Sequence, residues 1–281
     1  MSRASAGQAL FVVAFVFAAT VALAFLLLPI VAIFARTSPG KLLDQLSNPV
    51  VVDAFKVTLK TSLIAQVLIV VFGTPTAFLL AARRFPGHSL AVTLVELPLV
   101  LPPAVAGIGL LALFGRVGLL GSSLNAFGIT LPFTQAAVTM AVAYVASPLY
   151  IRQAIAAFEA TDPDLAAASR TLGASPARTF FRVVLPLARG GLIAGLALSF
   201  ARGLGEFGAT IMFAGSLQAV TQTLPLAIYA EFDRNFDATL AMSGVLVLVS
   251  IILLTALHVA LTWQRSPSTR SPSLFGLSSS S

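Results

Sequence analysis

Leu10–Phe34 contains no charged residue, and no other feature constrains the chain more. About 20 consecutive apolar residues suffice to cross a bilayer as a helix. The run is longer than a usual signal-peptide core and no clear cleavage site follows it, so it reads as a retained first span. Further apolar runs lie at Thr58–Ala82, Leu90–Phe114, Thr134–Ile151, Gly191–Phe213 and Ala238–Trp263. The pattern predicts an all-α integral membrane protein with about six transmembrane helices. Charge agrees, since only 10% of the residues are charged, against about 25% in a soluble domain. The third run carries Pro98, Pro102 and Pro103 and is expected to kink. The fourth is the shortest. Leu110–Leu131, rich in glycine and followed by Pro132, reads as a loop with a short interfacial segment.

The net charge of +7 would suit nucleic acid on a soluble protein. Here the basic residues cluster between apolar runs, so they report orientation in the membrane, and no nucleic-acid partner is expected. Arg3, Arg83, Arg84, Arg152, Arg170, Arg178, Arg182, Arg189, Arg265 and Arg270 fall on one side, and Arg36, Lys41, Lys56, Lys60, Arg116 and Arg234 on the other. The positive-inside rule makes the first side, with both termini, cytoplasmic. The chain divides into residues 1–56, a first transmembrane helix with an external loop, and residues 57–260, a core of five transmembrane helices with a cytoplasmic loop at 158–188. The Ser- and Pro-rich tail 261–281 is expected to be disordered. The absence of cysteine excludes disulfides and a thiol nucleophile. His88 and His258 join no metal-ligand cluster or Ser/His pairing, so no catalytic residue, metal or cofactor is expected. No soluble domain is visible, and the driving energy must come from a gradient or a partner chain.

The long loop after the fourth span carries the most local information. Asp162 is placed to cap a short helix, with Pro163 at its first position and Asp164 near the positive end of the dipole. Gly173 is placed to stop that helix in a left-handed conformation. Ser175 and Pro176 start a second helix, and Pro186 marks the end of the loop. Leu165, Ser169 and Leu172 share one face of the first helix, with Arg170 pointing elsewhere. On the second helix Phe180, Val183, Val184 and Leu187 form an apolar stripe, and Arg178 and Arg182 a basic one. An amphipathic hairpin of this kind suits either lipid headgroups or a docking protein.

The segment from Glu159 to Pro186 resembles the cytoplasmic EAA loop of ABC importer permeases. Gly173, Val184, Leu185 and Pro186 fit that spacing, while Ala167, Ala168 and Ser169 stand where the family has Glu-Ala-Ala, so its acidic residue is missing. The resemblance implies a type I importer permease fold. It also implies a coupling role for Asp162, Asp164, Leu165, Ser169, Arg170, Leu172, Gly173, Leu185 and Pro186 against an ATPase subunit. Glu96–Gly107, Phe200–Ile211 and Thr221–Tyr229 further resemble molybdate permeases, with sulfate permeases as near relatives. The implied protein is a multi-pass permease of the bacterial cytoplasmic membrane. It would pass an oxyanion, molybdate ahead of sulfate or tungstate. The implied partners are a pair of ABC ATPase subunits, a periplasmic or extracellular oxyanion-binding protein, a second permease copy and membrane lipid.

Two features of the fifth run stand on their own chemistry. Arg202 and Glu206 are spaced to pair on a helix, and charges inside a membrane usually pair and face protein or water. They read as a structural ion pair or as a lining group on the anion route. Gly191, Gly195, Ser199 and Gly203 recur every four residues and make a smooth face for close helix approach, within the subunit or to a second copy. An ion-coupled secondary transporter is the alternative from a different class. It would need its own coupling-ion site, and Glu96, Arg202 and Glu206 are the charged residues well inside the runs.

Overall fold

The computed structural model describes residues 3–36, 40, 44–45, 47–83 and 85–264. The tail from 265 onward, Arg84 and Lys41 lie outside the described residues. Among the described residues the helices run in order α1 (Arg3–Arg36), α2 (Pro49–Ala82), α3 (His88–Val100), α4 (Pro103–Phe114), α5 (Gly121–Ala126), α6 (Gln135–Glu159), α7 (Pro163–Thr171), α8 (Pro176–Thr179), α9 (Leu185–Leu204), α10 (Gly208–Ala214), α11 (Leu224–Glu231) and α12 (Phe236–Gln264). A turn of π-helix, Phe180–Val184, joins α8 to α9. No strand occurs among the described residues.

Among the described residues, five helices are long and apolar enough to cross a membrane, and α3 with α4 adds a sixth if that bent pair counts as one span. The packing favours counting it so. Lys60 Nζ of α2 donates to Gln135 Oε1 at the start of α6 (2.8 Å), and Thr74 of α2 meets Tyr150 further along α6 (2.6 Å). The two helices are therefore parallel, and the chain between them must return across the bundle once. α9 runs back along α6, with Gly191 beside Ala157 and Gly203 beside Val142.

The α3–α4 pair differs from the expected kink, because its helices meet at 112°. The cause is local. A residue before proline avoids the helical region. Leu101 precedes Pro102, which precedes Pro103, and both leave the helix with ψ of 135° and 131°. Pro103 then starts α4, at a position where its missing N–H costs nothing.

Four other expectations need correction. α2 begins at Pro49, capped by Asn48, whose side chain accepts from Val50 N (3.0 Å), so Lys56 lies inside this helix rather than in an external loop. The fourth span is not short, because α6 continues to Glu159 and carries Arg152 beyond the apolar stretch. Pro186 does not end the loop; it is the second residue of α9. The π turn just before it closes with Leu185 N donating to Phe180 O, so helix continues through the proline region. The fifth span is not continuous to Phe213, since α9 stops at Leu204 and α10 starts at Gly208.

The core is built on α6. One cluster joins it to α4 and α10 through Ala106, Leu110, Val138, Val142 and Phe213. A second joins it to α2 and the start of α9 through Ile69, Tyr150, Phe158, Val184 and Ala188. A third packs the first turns of α2 against α11 and α12 through Val51, Leu224 and Met242. Thr58 ties that third region by accepting from Leu224 N at 2.7 Å. Apolar side chains such as Phe11, Phe25, Val67 and Phe72 stay exposed along α1 and α2, as a lipid-facing surface requires.

Candidate functional site

Two places gather the residues singled out by sequence. The first is the hairpin of α7 and α8 at the end of the bundle marked by Ala82 and Glu159. Asp162 Oδ1 accepts from Asp164 N (2.9 Å) and caps α7, whose first residue is Pro163. The helix ends with Ala174 N donating to Ser169 O (3.1 Å) and Gly173 N donating to Arg170 O (2.9 Å). This is the paired bonding of a Schellman stop, which requires a left-handed residue, and Gly173 has φ of 83°. Ser175 Oγ accepts from Arg178 N (3.3 Å) and starts α8. Ser169 Oγ and Thr179 Oγ1, 3.1 Å apart, tie the two arms together.

No residue of α7 is buried. Leu165 is 47% exposed and Leu172 87% exposed, so an apolar face is left open on a polar hairpin. Arg170 turns the other way and lines a cavity of about 400 Å³ under the hairpin, with Asp162, Thr179 and Phe180. Leu185 and Pro186 lie apart from the open face, on the shaft of α9.

The second place is the break between α9 and α10. Glu206 is not on a helix with Arg202, as the spacing suggested, but in the interruption itself. Its Oε1 accepts from Ala209 N at 2.8 Å, within the first turn of α10. Its Oε2 lies 2.8 Å from Arg202 Nη1, an ionic contact with the N–H not aimed along the bond. The Glu206 side chain is 1% exposed and that of Arg202 33%. One carboxylate thus spans the break, holding the last turn of α9 by charge and the first turn of α10 by a hydrogen bond. Such a charge is costly in a membrane unless it is paired and bonded, and here it is both.

α10 in turn presses on α4. A Cβ on Gly107 would fall 2.6 Å from Ala209 O, and one on Gly208 would fall 2.9 Å from the Pro103 side chain. The two broken helices therefore touch at backbone distance. The stripe of Gly191, Gly195, Ser199 and Gly203 faces its own chain. Cβ atoms at the three glycines would meet Ala157, Gln153 and Val142 of α6. Ser199 Oγ lies 2.9 Å from Gln66 Oε1 of α2 and 3.0 Å from Leu196 O. Glu96, the other acidic residue of the apolar runs, is 3.5 Å from Arg152 of α6. Among the described residues, no group of three or more His, Asp or Glu side chains is placed to hold a metal ion.

Sequence reasoning missed Phe78, Phe158 and Gln66. Their elements arrive at the site from distant parts of the chain, and an aromatic or amide within an apolar run carries no mark of its neighbour.

A mostly helical membrane bundle with a capped hairpin at one end and broken helices within is the build of a transport permease. Residues 69–264 match the model of the binding-protein-dependent transport system inner membrane component, and the chain belongs to that family of ABC importer permeases. It is 41% identical over 229 residues to the molybdenum transport system permease protein ModB of Mycobacterium tuberculosis, covering 82% of this chain and 87% of the relative. It is 38% identical over 237 residues to the sulfate transport system permease protein CysT of Escherichia coli, covering 83% and 86%. Among solved structures, a chain of the inward-facing MetNI methionine ABC transporter aligns with a TM-score of 0.60 at 21% identity, covering 77% of this chain and 97% of that one. A chain of a bacterial ABC transporter that imports alginate aligns at 0.61 and 15% identity, covering 95% and 99%. At these identities the structural likeness is one of fold. The chain is thus the multi-pass inner-membrane permease component of an ABC importer, and family membership sets aside the ion-coupled secondary transporter.

Proposed function

We propose that this permease passes molybdate, delivered by a soluble oxyanion-binding protein and driven by a pair of ABC ATPase subunits docked on the α7–α8 hairpin. The open Leu165–Leu172 face on a firmly capped hairpin is the observation that supports docking. The identity to a molybdenum permease supports the anion, and the sulfate relative keeps sulfate as the second reading. Tungstate shares molybdate's charge and shape and belongs with it. Two copies of the chain would form the pathway, surrounded by lipid along the exposed faces of α1 and α2. The excess of basic residues on the hairpin's side supports a cytoplasmic hairpin and cytoplasmic termini. ATP binding would close the ATPase pair, move the hairpins and switch the spans between two access states. The permease supplies two-state geometry and no catalytic group, so the chain purified without its ATPase hydrolyses no nucleotide.

The Arg202–Glu206 pair serves this reading as a structural staple across the α9–α10 break. The deciding measurement is uptake of labelled molybdate and sulfate by the reconstituted complex with its own binding protein. The expected result is ATP-dependent molybdate uptake that excess sulfate competes poorly. Sulfate uptake equal to or above that of molybdate would make this a sulfate permease.

A further inference from the structure

The hairpin is held to the rest of the bundle in an uneven way. α7 packs chiefly on α8 and the π turn. Beneath it lies the cavity of about 400 Å³, so the hairpin is not seated flush on the ends of α2 and α6. The firm contact across that gap is aromatic. Phe180, the first residue of the π turn, has its ring centroid 4.7 Å from that of Phe78 near the end of α2, in an edge-on arrangement. It is 6.2 Å from Phe158 near the end of α6, and Phe78 and Phe158 are 5.5 Å apart, again edge-on. Close-packed rings at such distances attract one another beyond their area burial and resist compression. From Phe180 the chain continues without a helix break through α9 to Leu204, within a run of 29 residues counted from Pro176. That run is about 43 Å long at the rise of a helix. Its far end is the Arg202–Glu206 staple.

We propose that Phe180 is the positioning residue that converts movement of the hairpin into movement of α2 and α6. Pushed from outside, the hairpin has open volume beneath α7 and meets the ends of α2 and α6 through the Phe180 ring, with Val184 and Ala166 packed beside it. Displacement of α8 and the π turn is passed through the rings to Phe78 and Phe158, while the continuous helix carries the same displacement to the α9–α10 break. The proposal rests on the hairpin being the ATPase-docking element.

The test uses the full permease co-expressed with its ATPase, reconstituted, with ATP hydrolysis and labelled molybdate uptake measured together. Phe180→Ala is expected to co-purify the ATPase as the wild type does and to keep hydrolysis, while uptake per ATP falls on the order of tenfold. Phe180→Tyr, which keeps the ring, is expected to restore most of the uptake per ATP. Phe78→Ala, on the far side of the contact and away from the docking face, is expected to uncouple in the same way, and it keeps the test open if Phe180→Ala fails to fold. Unchanged uptake per ATP in both alanine variants would overturn the proposal. Loss of ATPase co-purification in Phe180→Ala would also overturn it, by making the ring part of the docking surface. Failure of the docking reading itself shows elsewhere, as normal ATPase recovery and uptake in Gly173→Val.

Discussion

The hairpin and the α9–α10 break differ in how much they owe to distant parts of the chain. In the hairpin, the bonds that start and stop its helices link residues at most five apart in sequence, Asp162 to Asp164, Gly173 to Arg170, Ala174 to Ser169 and Arg178 to Ser175, and one bond ten apart, Ser169 to Thr179, ties the two arms. The hairpin is largely solvated, and its stability comes from caps. At the break, Glu206 binds Arg202 and Ala209 nearby, and contacts from distant parts of the chain seat the two ends, from Gly208 to Pro103, Gly107 to Ala209 and Ser199 to Gln66. There the Glu206 carboxylate is buried and backbones touch. A solvated hairpin can be shaped by bonds within a few residues, whereas a broken helix in a membrane survives only if its exposed backbone groups are satisfied by the protein around it.

Substitutions at the two places sharpen that contrast, and the largest effect belongs to Arg202→Met. It leaves the Glu206 carboxylate buried and uncompensated, which costs about 3 kcal/mol. Thermal unfolding of the purified permease should show a clear loss, and the double change Arg202→Met with Glu206→Gln should recover part of it. A stable single variant with normal uptake would show the break to be solvated and the contrast false.

Gly107→Ala comes next. Its Cβ would meet the Ala209 backbone at 2.6 Å, so no side chain can yield and α4 must part from α10. The expected cost is about 2 kcal/mol with loss of uptake, read by unfolding and transport together.

Glu206→Gln should cost less, about 1 kcal/mol, because the amide oxygen can still accept from Ala209 N and the freed Arg202 is one-third exposed and can be solvated. An equal loss in Arg202→Met and Glu206→Gln would contradict the burial asymmetry.

At the hairpin the effects are smaller on the fold and larger on the partner. Gly173→Val forces a β-branched residue to φ of 83°, a local strain of about 1–2 kcal/mol. The added Cβ itself meets nothing within 4 Å, so the spans should insert and melt as in the wild type. ATPase recovery on co-purification and uptake should both fall. Smallest is Ser175→Ala, which removes one cap at about 1 kcal/mol and should only reduce ATPase recovery. A hairpin variant that melts the whole permease would show the hairpin to be part of the core.

The hairpin was legible because its signals are short-range chemistry. Asp-Pro and Ser-Pro start helices and a glycine stops one, whatever the rest of the chain does. The apolar runs were legible for the same reason, since a bilayer demands a length of helix that composition alone reveals. Boundaries failed where a run's composition continued through a break or a helix outlasted its apolar stretch. Gly191–Phe213 reads as one span because Gly205 and Glu206 do not interrupt its hydropathy enough, and Thr134–Ile151 reads as short because α6 outlives its apolar residues by more than a turn. The tail beyond Gln264 lies outside the described residues.

By itself the sequence determined that this chain crosses a membrane several times as helices, that its long loop folds into a capped hairpin, and which family's motifs it carries. These follow from hydrocarbon's intolerance of charge and from caps that act within a few residues. Only the tertiary structure decided that Glu206 sits in a break and spans it, that the glycine stripe of α9 faces α6, and that Phe180 meets Phe78 and Phe158. Each of these depends on which surfaces meet. A small residue or an aromatic ring in an apolar run has the same local energy facing lipid or facing another helix, so only packing tells them apart.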